Sequence, residues 1–118
     1  MVGQRFAMRA LPWRGRSGRV HQLVPCALEA FRLEEGVVHV LAKGSLVLWA
    51  GSVSDVVEDA ESRSRFRLAL DCADRALRVA GAVDGLDRMT LIWDLEGAEP
   101  VPDAIAPRRF AYPAATAA

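Results

Sequence analysis

The segment Ser62 to Ala80, SRSRFRLALDCADRALRVA, constrains the fold more than any other, because Phe66, Leu70, Ala73, Leu77 and Ala80 recur at spacings of three and four. On a 3.6-residue turn those positions share one side, so the segment predicts one long amphipathic helix. Asp71 and Asp74 precede Arg75 and Arg78 by four residues, the orientation that favours helix ion pairs worth roughly 0.3–0.5 kcal/mol. The other apolar segments are short and read as strands that need such a stripe to pack against.

Arg5 to Leu11 alternates, with Phe6, Met8 and Ala10 opposite Arg5, Ala7 and Arg9, the pattern of a half-buried strand ended by Pro12. The Gly15, Ser17, Gly18 cluster reads as a loop, and Arg19 to Val24 as a second strand closed by Pro25. Cys26 to Glu35 fits a strand whose connection uses Gly36 in a left-handed position; its good helix formers leave a helix as the alternative. Val37–Ala42 and Ser45–Ala50 are nearly all apolar and flank Lys43–Gly44, which predicts a tight hairpin covered on both faces. Ser52 or Ser54 suits the cap of a short helix over Ser54–Asp59, with Asp55 favourable in its first turn. Arg88 to Glu96 places Met89, Leu91, Trp93 and Leu95 opposite Arg88, Thr90, Ile92, Asp94 and Glu96 and reads as a strand. Four of the six prolines follow Gly97, so residues 98–118 read as an extended arm appended to a single domain over residues 1–97.

Composition bounds the function. A chain of 118 residues that is 52% hydrophobic and 25% charged can bury one core. Its formal net charge is zero, which makes no case for an obligate nucleic-acid or membrane-surface partner. The charge is unevenly placed: residues 1–28 carry five arginines and no acid, whereas residues 81–106 carry six acids and only Arg88. Of the basic residues all but Lys43 are arginine, in keeping with a GC-rich, bacterial coding bias. Two cysteines, Cys26 and Cys72, make no disulfide framework, and read as reduced, partly buried thiols of a cytoplasmic protein. No run approaches a membrane span, and the arginines near the N-terminus interrupt any secretory signal.

Candidate chemistry is sparse. His21, His39, Cys26 and Cys72 lack the close spacing that pre-orients metal ligands, so neither a metal nor a cofactor is expected. Cys72 with His39 is the one pairing that a nucleophilic mechanism could use, and a buried structural cysteine explains Cys72 more simply. Trp13, Arg14, Arg16 and Arg19 combine a stacking ring with guanidiniums, the chemistry of contacts to nucleic-acid backbones and unpaired bases. Partner binding has the broadest support. The small residues Ala69, Ala73 and Ala76 permit close approach of another element, Trp49 is an anchor for a core or an interface, and Phe110 and Tyr112 belong to a segment suited to docking on a neighbour.

The expectation is an α+β domain: an antiparallel sheet of five or six short strands packed on one long helix, with an extended C-terminal arm. Its function is expected to be that of a small, non-catalytic accessory or assembly protein that binds protein or associates with itself. A nucleic-acid-binding module built on the Trp13–Arg19 loop is the alternative, and a small enzyme using Cys72 the third reading.

Overall fold

The helix expected over Ser62–Ala80 is cut at Cys72, and that cut sets the topology. The computed structural model describes residues 9–80 and 85–102. In chain order the elements are β1 (Leu11–Arg14), β2 (Val20–Cys26), β3 (His39–Lys43), β4 (Leu46–Gly51), α1 (Val53–Glu58), α2 (Ala60–Cys72), β5 (Arg75–Val79), α3 (Gly85–Glu96) and β6 (Glu99–Pro100). The strands form one six-stranded antiparallel sheet in the order β4-β3-β5-β2-β1-β6. The fold is therefore α+β with an antiparallel sheet, as the sequence suggests, but the single long helix is replaced by α2 followed by β5.

β5 occupies the centre of the sheet. It pairs with β2 through Leu23↔Val79 to Cys26↔Ala76 and with β3 through His39↔Arg78 to Ala42↔Arg75. As a strand it sends Ala76 to one face and Leu77 and Val79 to the other, all buried. It also gives β2 and β3 a shared neighbour, and these tertiary gains outweigh a helix propensity of tenths of a kcal/mol per residue. The expected helix ion pairs are consequently absent among the described residues. Asp74 Oδ1 instead accepts from the Gly44 N–H at 3.0 Å, and Arg75 Nη1 lies 3.4 Å from the Gly44 carbonyl oxygen.

The second correction concerns Arg88–Glu96, which is helical. Leu91, Ile92 and Leu95, followed by Ala98, pack on the core at helical spacing, while Met89 and Trp93 are 62% and 52% exposed. The alternation of the sequence groups Met89, Leu91, Trp93 and Leu95 on one face and Ile92 on the other. Short runs dense in apolar residues satisfy both periods, and only the partner surface decides.

Smaller departures follow the same logic. Pro12 and Pro25 lie inside β1 and β2 rather than ending them, each at the cost of one ladder N–H. The expected strand over 26–35 is a 3₁₀ turn at Leu28–Ala30 followed by extended chain, whose Phe31 and Leu33 pack on the sheet. Gly36 (φ 75°) and Gly44 (φ 59°) hold left-handed turn positions. The second hairpin turns at Gly44–Ser45, one residue beyond the expected pair. α1 begins after Ser52, whose N–H donates to Asp55 at 2.8 Å, and Asp59 Oδ1 accepts from the Glu61 and Ser62 N–H groups to start α2. β6 carries the sheet beyond residue 97. Residues 103–118, most of the expected arm, and the strand positions before Arg9 lie outside the described residues.

Both faces of the sheet are covered. One face, with Trp13, Leu23, Val40, Leu77 and Val79, packs against α3 through Leu95. The other, with Leu41, Trp49 and Ala76, packs against Ala69 and Phe66 of α2 and against Phe31. Trp49 sits edge-on to Phe66 at 4.7 Å, and its Nε1–H donates to Ser62 Oγ at 3.1 Å.

His39 is buried in this second layer, edge-on to Phe31 at 5.3 Å, with its Nδ1 unpartnered among the described residues. Burial holds its pKa below the ordinary histidine value; Glu34 opposes the shift and Arg78 reinforces it. Because the folded value is the lower one, the unfolded chain takes up protons first. Stability therefore falls as pH drops from about 6.5. His39→Leu is expected to remove that slope and, by deleting an unpartnered polar atom, to add about 1 kcal/mol at neutral pH. Urea unfolding of both proteins between pH 5 and pH 7.5 reads this directly.

Candidate functional site

β4 is the outer strand of the sheet, and among the described residues nothing pairs with its second edge. Its sequence, LVLWAG, contains no charge and no proline, the two devices that usually blunt an exposed edge. A groove of about 290 Å³ runs along it, lined by Val47, Leu48, Trp49, Arg65 and Glu96. Arg65 comes from α2 on one face of the sheet and Glu96 from the end of α3 on the other, so the free edge lies between two helices. A second, more apolar groove of about 210 Å³ adjoins it and is lined by Leu48, Arg65, Leu68, Ala69 and Cys72. Leu46 and Leu68 are 63% and 65% exposed. Such an edge can accept an added strand: unpaired backbone groups provide hydrogen bonds, and the flanking grooves take alternate side chains.

The residues expected to bind a partner are distributed differently. Trp49, Ala69 and Ala76 are buried in the chain's own second core layer, so only the edges of Trp49 and Ala69 line the grooves. Ala73 is half-buried beside them, and Phe110 and Tyr112 lie outside the described residues. Sequence reading missed Leu46, Leu48 and Leu68, whose role depends on β4 being the outer strand. The signal that could have found Leu46 and Leu48 is the charge-free run after Gly44.

The arginine-rich hairpin loop is not an open stacking platform. Trp13 is wholly buried, whereas Arg14 and Arg19 are exposed. Arg16 is engaged by α3: its guanidinium lies 4.9 Å from the Trp93 ring, its Nε–H donates to the Trp93 carbonyl at 3.0 Å, and Nη2 is 3.7 Å from Glu96. Cys72 is exposed, not buried, and no hydrogen bond joins it to His39 among the described residues. Cys26 is half-buried, and its thiol pKa is raised by burial, with Arg78 opposing and Glu34 adding to the shift. Among the described residues no group of three His, Cys, Asp or Glu could hold a metal ion, and no helix is long and apolar enough to cross a membrane.

The polar cluster that the sequence did not predict joins the two oppositely charged ends of the chain. Asp94 of α3 is buried, and its Oδ1 accepts from the Ser17 N–H at 2.6 Å. Its Oδ2 accepts from Ser17 Oγ at 3.0 Å and lies 2.6 Å from His21 Nε2. Burial alone would raise the Asp94 pKa, but hydrogen bonds from His21 and from the N–H and hydroxyl of Ser17, with the His21 charge, hold it below the ordinary value. An ionised carboxylate can only accept, so His21 Nε2 carries the proton of this bond. Ser, His and Asp thus meet, with the serine hydroxyl donating to the carboxylate and not to the imidazole that would activate it in a triad. The Arg16 N–H donates to the Asp94 carbonyl at 3.0 Å, and Gly15 is needed because a Cβ there would overlap the Asp94 carboxylate.

Compared with known protein families, with curated proteins and with solved structures, the chain matches none.

Gly15→Ala is expected to cost about 1–3 kcal/mol by pushing α3 off the hairpin. Because the folded Asp94 pKa is the lower one, its contribution is complete above the ordinary aspartate pKa of about 3.9 and is lost as pH falls through the depressed folded value. Asp94→Asn should lack that acid-side loss. Chemical denaturation of the parent and both variants at pH 7 and at pH 3 distinguishes these effects.

Proposed function

We propose that this chain is a non-catalytic assembly protein that acts by binding protein through the free edge of β4, and that its partner is a second copy of itself. The observation that carries this reading is an uncharged, proline-free outer strand set in a groove between α2 and α3. Antiparallel pairing of two β4 strands about a twofold axis normal to the sheet joins two six-stranded sheets into one. It also keeps both α2 helices on the same face. Leu46, Leu48 and Leu68 then meet their counterparts, so exposed apolar surface is buried without any charged residue of the strand being desolvated. Neither the polar cluster at Asp94 nor the exposed Cys72 supplies an activated nucleophile, so the reading does not depend on catalysis.

Light scattering after size exclusion tests it over a wide concentration range. The parent should populate a dimer that grows with concentration. Leu46→Lys and Leu68→Glu, both at exposed positions, should each raise the dissociation constant at least about tenfold, or about 1.4 kcal/mol, with an unchanged circular dichroism spectrum. A parent that stays monomeric at every concentration, or variants that dimerise as the parent does, would contradict the proposal.

A further inference from the structure

Beside β1 and β6 lies a cleft of about 480 Å³ whose lining includes Leu11, Pro12, Trp13, Arg75, Pro100 and Val101. Its volume lies within the range of small-molecule sites, and most of its surface is apolar. Among the described residues its only charged lining residues are two arginines, Arg75 and Arg9, with no carboxylate beside them. Arg75 is half-buried, its guanidinium 5.5 Å from the Trp13 ring. The hydrogen bond found for it is the long one to the Gly44 carbonyl, and no acid pairs with it among the described residues. Trp13 closes the cleft from the core side, and its Nε1–H is buried without a hydrogen-bond partner among the described residues. A buried donor left in that state costs roughly 1–3 kcal/mol.

We propose that this cleft binds an apolar monocarboxylic acid, with the carboxylate on Arg75 and the hydrocarbon along Leu11, Pro12, Pro100 and Val101. Charge complementarity selects the class. A cation would meet two guanidiniums, and a multiply charged phosphate would have to desolvate against an apolar wall, whereas a single carboxylate on an apolar body satisfies both parts of the lining. The cleft shares no lining residue with the two grooves along β4.

The test uses the full isotopically labelled chain and follows the three tryptophan indole N–H signals, after sequential assignment, during titration with octanoate, octanol and octylammonium. Octanoate should shift the Trp13 signal saturably while those of Trp49 and Trp93 stay in place. Octanol should bind about tenfold more weakly and octylammonium not at all. Arg75→Gln should weaken octanoate about tenfold, its unshifted Trp49 and Trp93 signals showing that the fold is retained. Absence of a Trp13 shift, an equal response to all three head groups, or octanoate binding that survives Arg75→Gln unchanged would overturn the proposal.

Discussion

The pairing of β5 with β2 on one side and β3 on the other is the interaction on which the structure depends. Without it the two hairpins, β1–β2 and β3–β4, share no backbone bond and their apolar faces have no common plane. With it, one sheet forms whose residues alternate between two core layers. The chain must then place a helix on each side, because Leu41, Trp49 and Ala76 on one face and Trp13, Leu23 and Leu77 on the other all require cover. α2 precedes β5 and α3 follows it, and each covers a different face.

α3 is held on its face by two polar anchors at its two ends. Near its start, Arg88 Nη1 reaches Ser52, Ser54 and Asp55 at 2.9–3.0 Å and ties the helix to the first turn of α1. Near its end, Asp94 is gripped by Ser17 and His21 of the first hairpin. The exposed Arg16–Glu96 pair adds little by comparison, since ion pairs in water contribute about 0–1 kcal/mol. The basic start and acidic end of the chain thus meet in one docking contact, in which His21 and Arg16 face Asp94 and Glu96.

What the sequence reveals and what it conceals both follow from locality. The β3–β4 hairpin, the short helix after Ser52 and the start of α2 near Glu61 are legible because caps, turns and apolar runs act over a few residues. Leu77 and Arg88–Glu96 are misread for a nonlocal reason. Leu77 continues a helical stripe by coincidence, and Met89 and Trp93 fall into step with Leu91 and Leu95 although they face solvent. The strand order is equally nonlocal, and so the candidate site was hidden with it. Val47, Leu48 and Trp49 read as core strand, and they become an accessible edge only because β5 joins the sheet on the far side of β3. Ala69 and Ala76, small residues that suit a close interface, are used instead to let Trp49 and Leu41 pack within the chain.

In the proposed assembly β4 is an open edge in the monomer and a paired strand in the dimer. Amide hydrogen exchange, resolved by residue and measured in dilute and in concentrated protein, tests this most directly. In both solutions the amides of Arg75–Val79 should be strongly protected, because β5 is central. Within Leu46–Gly51, the amides not bonded to β3 should exchange freely when dilute and become protected when concentrated. Protection of β4 that is identical at both concentrations, or a concentration-dependent change confined to the Met89–Trp93 surface of α3, would contradict the account.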